Sequence, residues 1–145
     1  MADTKSIKFY TTTVPVSKTV NEVTALLVRR GAQRITSEYD SDGNPTALLF
    51  IMDTDFGPRE YSIPVRSDGV LRIVEKDTSI PKNQRTRQKA ERIAWRLILS
   101  WLDTQFALID AEMASVAEVM LPYMVSNEGS TMYEIMHAKH LGIEQ

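Results

Sequence analysis

The chain contains no cysteine. This absence excludes a disulfide framework, a thiolate metal site and a cysteine nucleophile. No apolar run reaches the length of about 20 residues that a transmembrane helix needs, and the N-terminal sequence MADTKSIKFY lacks the apolar core of a signal peptide. We therefore expect no membrane partner and a protein that acts in a cytoplasm.

The common sequence signatures of an enzyme are missing as well. The chain has no glycine-rich phosphate loop and no Gly-x-Ser-x-Gly nucleophile elbow. Asp53 and Asp55 follow an apolar segment, but aspartates at such positions are far more common in turns than in catalytic pairs. Glu134, His137 and His140 share one helix face, yet a carboxylate metal site needs a matching set from another helix. We predict no enzymatic activity, no metal site and no cofactor.

Charge is distributed unevenly along the 145 residues, whose formal net charge is −2. Residues 1–102 carry 16 basic and 12 acidic side chains, whereas residues 103–145 carry one and seven. Between Lys82 and Arg96, six cations accompany a single acidic residue, Glu91. The sequence thus indicates a local basic patch on an acidic protein, and the molecule as a whole does not attract polyanions.

The first half of the chain has the patterns of strands with one helix between them. β-branched and aromatic residues predict a strand over 7–14, and Thr19 with Glu22 forms a capping-box pattern that predicts a helix start. Gly31 is placed to end that helix. Three further strands are predicted from alternating or continuous apolar residues, with turns at glycines between them: residues 34–40, 46–53 and 61–65.

The second half is predicted to be helical. A long helix runs from about residues 83–86 to 111, a capping box at Ser115 and Glu118 opens a second helix, and a third begins at Thr131. We predict an α+β fold, a small antiparallel sheet (order β-α-β-β-β) packed against a long, mostly buried C-terminal helix and shorter helices. Residues 1–145 are expected to form a single domain, with a sheet-forming half (1–78) and a helical half (83–145).

The long helix is apolar over all but a stripe about 100° wide, so it must be buried on several sides. A contact between copies of the chain would supply one of those sides, and we expect a homo-oligomer. A single domain that encloses the helix would serve equally well.

The narrow polar stripe of this helix carries the main functional signal. Arg85, Lys89, Arg92 and Arg96, the basic stripe, recur at helical spacing, and Ser100, Asp103 and Asp110 continue the same face. Cations near the N-terminus and carboxylates near the C-terminus oppose the helix dipole, typically by about 0.3–1 kcal/mol for each charge in a terminal turn.

Three interpretations of the basic stripe stay open at this stage. The arginines suit phosphate oxygens, and Trp95 beside the stripe could stack on a base. Alternatively, the acidic C-terminal segment, or a neighbouring subunit, neutralises the stripe. The third possibility is a solvated face without a partner.

Several short motifs together carry a resemblance to a known group. They are Phe9–Val16 (FYTTTVPV) followed by Lys18–Val20, Ala94–Arg96 continuing to Trp101, Leu102 and Gln105, Leu121–Met124, and Thr131–Glu134. With these motifs the chain resembles small proteins of tailed bacteriophages and prophages that are usually labelled hypothetical. The resemblance implies a phage-encoded protein that acts in the cytoplasm of an infected bacterium, and it assigns no site residues.

From these observations we predict a non-enzymatic phage protein that binds a phosphate-bearing ligand. The leading version binds single-stranded nucleic acid as a replication or recombination accessory, with Arg85, Lys89, Arg92 and Arg96 on the phosphates and Trp95 stacked on a base. One alternative is a counter-defence protein that sequesters a small or cyclic nucleotide signal. The other is an adaptor or inhibitor whose basic stripe meets an acidic host protein.

Overall fold

The computed structural model describes residues 6–139 and has the predicted α+β composition. Its principal elements in this range are α1 (Val16–Arg29), β1 (Arg34–Tyr39), β2 (Pro45–Thr54), β3 (Gly57–Pro64), α2 (Asp68–Lys76), α3 (Arg87–Asp110), α4 (Val116–Met120) and α5 (Met132–Lys139). Two short 3-10 helices, Lys82–Gln84 and Leu121–Tyr123, precede α3 and follow α4. Each element predicted from residue 34 onward is present within a few residues of its expected bounds.

The sheet is a three-stranded antiparallel meander in the order β1-β2-β3. The nearly all-apolar β2 is its central strand, and Phe50 pairs with Ile35 on one side and with Tyr61 on the other. Gly57 closes the β2–β3 hairpin with φ of +89°, a conformation that glycine adopts without a steric penalty. Pro64 ends β3 at an edge of the sheet, as a residue without an N–H requires.

The predicted strand over residues 7–14 is wrong, since the described part of this segment forms turns. The N–H of Tyr10 donates to the carbonyl of Ile7 (3.1 Å), and that of Thr12 donates to the carbonyl of Phe9 (2.9 Å). Ile7 and Tyr10 pack against a buried cluster consisting of Val70, Val74, Ile80, Ala90, Ile93 and Ala94. The apolar and aromatic composition of the segment therefore serves side-chain packing, not strand pairing.

The start of α1 also differs from the prediction. The helix begins at Val16, and the carbonyl of Pro15 accepts from the N–H groups of Lys18 (3.1 Å) and Thr19 (3.3 Å). Thr19 consequently lies inside the helix with a fully buried side chain and does not cap it. Glu22 therefore does not act as a capping residue either.

The predicted end of α1 at Gly31 is confirmed. Gly31 has φ of +98°, its N–H donates to the carbonyl of Val28 (3.0 Å), and the N–H of Ala32 donates to the carbonyl of Leu27 (2.9 Å). These two bonds form a Schellman motif, which satisfies carbonyls that the end of a helix leaves open.

The capping box predicted for α4 is present. The hydroxyl of Ser115 accepts from the N–H of Glu118 (3.1 Å), whose carboxylate accepts from the N–H of Ser115 (2.8 Å). Thr131 and Glu134 make the same reciprocal pair at the start of α5, at 3.2 and 2.8 Å. These local signals can be recognised from spacing alone because every partner lies within three residues.

The chain divides into two compact units with opposite net charge. Unit 1 comprises residues 1–26 and 65–104, and unit 2 comprises residues 27–64 and 105–145. Unit 1 contains 12 Lys and Arg against 7 Asp and Glu, whereas unit 2 contains 5 against 12. Each unit draws on both predicted halves of the chain. The single domain and the homo-oligomer stay predictions from the sequence.

Helix α3 combines fully buried and partly exposed apolar side chains. Trp95, Leu102 and Phe106 are buried, while Ile98 and Ile109 keep some solvent contact. Of the helices within residues 6–139, none combines the length and the apolar character that crossing a membrane requires.

Tyr61 in β3 supplies a first testable prediction about the core of unit 2. Its side chain is fully buried, its ring lies 5.7 Å from that of Phe50, and its hydroxyl has no hydrogen-bond partner among the described residues. Burial raises the pKa of this hydroxyl. Because an unsatisfied buried polar group costs about 1–3 kcal/mol, we expect Tyr61→Phe to raise the free energy of unfolding by about 1 kcal/mol in urea titrations. A loss of stability would mean that the hydroxyl has a partner in solution.

Candidate functional site

The basic stripe of α3 lies alongside residues 12–22 within unit 1. The ammonium group of Lys89 donates to the carbonyl oxygen of Thr12 (2.7 Å), and the guanidinium of Arg96 pairs with the carboxylate of Glu22 (3.1 Å). Residue numbers increase in the same direction on both sides, so the segment from Thr12 to Glu22 follows α3 in the same direction. Two contacts, seven residues apart on α3, thus define the ends of the site.

Lys89 is a buried cation. Its side chain is 6 % exposed, and the Thr12 carbonyl is the one acceptor that the described residues provide. An ammonium group has three N–H donors, so two remain for another acceptor. Desolvation, together with the positive charge of Arg92, lowers the pKa of Lys89.

Arg92 lies between the two contacts and has no hydrogen-bond or ion-pair partner among residues 6–139. Its Nε atom is buried without an acceptor, while the rest of the side chain keeps partial solvent contact. The hydroxyl of Thr19 is also buried and has no partner in the described part of the chain. Thr19 is one helical turn before Glu22 and therefore lies on the same face of α1. Arg92 is one turn before Arg96 and therefore lies on the same face of α3, so the two residues are on the helix faces that the Glu22–Arg96 pair connects.

The site consequently has three levels along α3, which we call the layered site. Lys89 meets the Thr12 carbonyl in the first level and Arg96 meets Glu22 in the third. The middle level contains Arg92 and the Thr19 hydroxyl, both uncommitted within the described chain. Donors are in excess over acceptors, and positive charge is in excess over negative charge.

Ion pairs with Glu22 in α1 and with Arg30, which follows α1, account for part of the charge pattern that opposes the helix dipole. Arg96 pairs with Glu22 in unit 1, and Asp110 accepts two hydrogen bonds from Arg30 at 2.6 and 2.7 Å in unit 2. Such partly exposed pairs are worth up to about 1 kcal/mol each, similar to the dipole penalty they offset. The cation near the middle of α3 and the carboxylate at its end therefore have structural partners.

Arg85 does not join the layered site, contrary to the sequence prediction. Its Nε donates to the carbonyl of Ile80 (2.9 Å), and its charge contributes to lowering the pKa of Asp77. Arg85 precedes the first residue of α3, which is Arg87, so the helical spacing that placed it on the stripe does not extend that far. Arg85 instead stabilises the loop before the helix.

The stacking role predicted for Trp95 is wrong for this conformation. The indole is 1 % exposed, so neither of its faces is accessible to a base. Aromatic side chains bury large apolar areas, and this contribution dominates at a position that faces the interior. Trp95 is a core residue of unit 1.

Three residues on the other side of the site were not predicted from the sequence: Thr12, Thr19 and Glu22. Thr12 contributes a backbone carbonyl, which no residue pattern reveals. Thr19 and Glu22 were interpreted as a capping box, although Thr19 also shares the apolar face of Val23, Leu26 and Leu27 at helical spacing. A polar residue on an otherwise buried face was the one available signal.

The other polar candidates have structural roles. The hydroxyl of Thr54 accepts from the N–H of Phe56 (3.0 Å) and donates to the Gly57 carbonyl (2.8 Å), while Asp53 and Asp55 beside it are exposed. Glu134 caps α5 and His137 stacks on Tyr133 with ring centroids 6.0 Å apart. His140 lies outside the described residues. Within residues 6–139 no group of three potential metal ligands comes together.

Comparison of the chain with protein-family models, with curated proteins and with solved structures found no match.

Proposed function

We propose that this protein is a non-enzymatic binding protein whose ligand carries a phosphate group, held by Lys89 and Arg92. The observation that supports this proposal is the unpaired middle level of the layered site. Arg92 of the middle level and Lys89 of the first level are neighbouring cations, and among residues 6–139 the structure pairs neither of them with a carboxylate.

The energetics favour an anion at this position. Cations that are removed from water without a counter-charge cost several kcal/mol, and burial of Lys89 already disfavours its charged form. An anion between Lys89 and Arg92 would offset both costs. Phosphate oxygens suit the pair because they accept charge-assisted hydrogen bonds from ammonium and guanidinium groups alike.

The geometry favours a small ligand over a long strand. A strand-binding track needs several exposed cations in a row. Lys89 is buried, Arg96 is paired with Glu22, Arg85 is bound to a backbone carbonyl, and Trp95 has no accessible face. Sequestration of a small nucleotide, the alternative predicted from the sequence, is thus better supported than single-stranded nucleic acid.

Single-stranded nucleic acid remains the second candidate because unit 1 is basic and has exposed cations outside the layered site. These are Lys8, Lys18, Arg66, Arg72, Lys76 and Lys82. Binding through them would fall steeply with salt, with a log–log slope of about −0.7 for each phosphate contact. A ligand held at Lys89 and Arg92 would show a much weaker salt dependence.

The proposal is tested by thermal shift and isothermal titration calorimetry. The ligands are nucleoside monophosphates, cyclic nucleotides and an oligothymidylate of about 20 nucleotides, each at two salt concentrations. We expect at least one phosphate compound to raise the melting temperature, as a ligand specific for the folded state must. Arg92→Gln should abolish that shift.

Arg87→Gln is the matched control. Arg87 lies on the same helix and carries the same charge, but it is exposed and pairs with Asp68 at 2.7 Å. The Arg87→Gln variant should bind the phosphate compounds with the affinity of the wild type. The proposal is overturned if the wild-type protein binds none of the phosphate compounds, or if folded Arg92→Gln binds them as the wild type does.

A further inference from the structure

We infer that the layered site is specific for the doubly charged terminal phosphate of a phosphomonoester. This inference rests on the proposed function and narrows it to one ligand chemistry. The same terminal group occurs on a free small molecule and at the phosphorylated end of a nucleic acid. A phosphodiester, whether cyclic or in a nucleic-acid backbone, is the chemistry that the site should reject.

The charge of the layered site matches a dianion. Lys89 and Arg92 contribute two positive charges, and Glu22, the acidic residue of the layered site, is already paired with Arg96. A phosphomonoester carries about −1.5 to −2 charges at pH 7, whereas a phosphodiester carries one. A diester would leave about one of the two cations without compensation in a partly desolvated site.

The hydrogen-bond inventory leads to the same ligand. Lys89 has two N–H donors beyond the one used on Thr12, Arg92 has an unpaired Nε–H, and Thr19 has an unpaired hydroxyl. Three terminal oxygens of a monoester accept from all of these groups. A diester presents two such oxygens, and its second ester substituent would occupy space beside buried side chains.

The contacts in the first and third levels limit how far a ligand can extend along α3. Thr12 is bound to Lys89 on one side and Glu22 is bound to Arg96 on the other, and these two contacts are separated by seven residues on α3. At a rise of 1.5 Å per residue, the two contacts are about 10 Å apart along the helix axis. A continuous backbone would have to displace one of the two contacts.

Calorimetry with methyl phosphate and dimethyl phosphate tests the inference with the smallest possible change of ligand. We expect methyl phosphate and inorganic phosphate to bind, and dimethyl phosphate to bind at least 10-fold more weakly, since one hydrogen bond to a charged group is worth about 1.5–3 kcal/mol. An oligothymidylate with and without a 5′-phosphate separates the sources. If the 5′-phosphate adds no affinity to the oligonucleotide while methyl phosphate itself binds to the protein, the ligand of the site is a free small molecule, and this result supports the inference.

Failure of the inference and failure of the proposed function have different signatures. Monoester specificity is overturned if dimethyl phosphate or a cyclic nucleotide binds as tightly as methyl phosphate. If Arg92→Gln also abolishes that binding, the proposed phosphate site still stands. Absence of binding by every phosphate compound overturns both. Thr19→Val offers a second variant that keeps the shape of the side chain. It should weaken methyl phosphate binding by about 10- to 100-fold, as expected for one hydrogen bond to a charged acceptor.

Discussion

Replacement of Trp95 by alanine lowers the free energy of unfolding by about 3–5 kcal/mol, the range found for large aromatic residues removed from protein cores. The side chain is 1 % exposed and lies on the same helix as the buried Ala90, Ile93 and Ala94. The loss is a large fraction of the 5–15 kcal/mol that stabilises a typical domain. Urea unfolding of the wild type and of the variant measures it.

A second variant distinguishes a core residue from a stacking platform. Trp101→Phe leaves Trp95 as the sole tryptophan, and we expect its fluorescence to resist quenching by iodide and to change little when a nucleotide binds. Trp95→Phe should retain ligand affinity at a smaller cost in stability than Trp95→Ala. Strong quenching of Trp95 by nucleotides would restore the stacking role that the structure contradicts.

Lys89→Met is expected to lower the affinity for methyl phosphate by about 10- to 100-fold, because a hydrogen bond from a charged donor contributes about 1.5–3 kcal/mol. Methionine retains most of the apolar volume of the lysine stem, so the core contacts persist. Calorimetry measures the affinity, and circular dichroism verifies the fold. Lys82→Met is the matched control, since Lys82 is exposed and outside the layered site. An unchanged affinity in Lys89→Met contradicts the assignment of Lys89.

The pH dependence of stability provides an independent measure of Lys89. Its folded pKa lies below the ordinary value of 10.5 because burial penalises the charged form. As pH rises from the folded pKa to 10.5, the folded state loses this proton before the unfolded state does, so the stability of the wild type rises. Lys89→Met lacks the group and lacks this gain. The difference in unfolding free energy, wild type minus variant, should therefore increase with pH, and a difference that stays constant shows that Lys89 is not desolvated.

Tyr61 opposes that trend in both proteins and cancels in the difference. Its folded pKa is raised above 10.0, so the unfolded state releases the phenolic proton first and stability falls as pH rises above 10.0. Comparison of the wild type with Lys89→Met at each pH removes this contribution of Tyr61.

Signals confined to a few residues were predicted correctly from the sequence. The end of α1 at Gly31, the turns at Gly43 and Gly57, the capping box at Ser115 and the apolar strand β2 all depend on neighbours in the chain or on a continuous apolar run. The strand at residues 7–14 failed because β-branched and aromatic residues fit a packed loop as well as a strand. The choice between them depends on whether another strand is available to pair.

Only the side of the layered site that α3 provides could be predicted from the sequence. Helical spacing correctly placed Lys89, Arg92 and Arg96 on one face of α3, and the same spacing wrongly included Arg85, which precedes the helix. Nothing in the local sequence indicates that Glu22 neutralises Arg96, because 74 residues separate them.

The sequence by itself determined the α+β class, the turns and the helix end marked by glycines, the capped starts of α4 and α5, and the unusual order of charges on α3. These properties follow from backbone conformational preferences and hydrogen bonds that act within one helical turn. Only the tertiary structure decided which of those charges have partners. The segment from Thr12 to Glu22 lies along α3 and supplies partners to Lys89 and Arg96, and it leaves Arg92 uncommitted among the described residues. Burial and pairing depend on contacts between distant segments, so the functional meaning of the basic stripe appears only after folding.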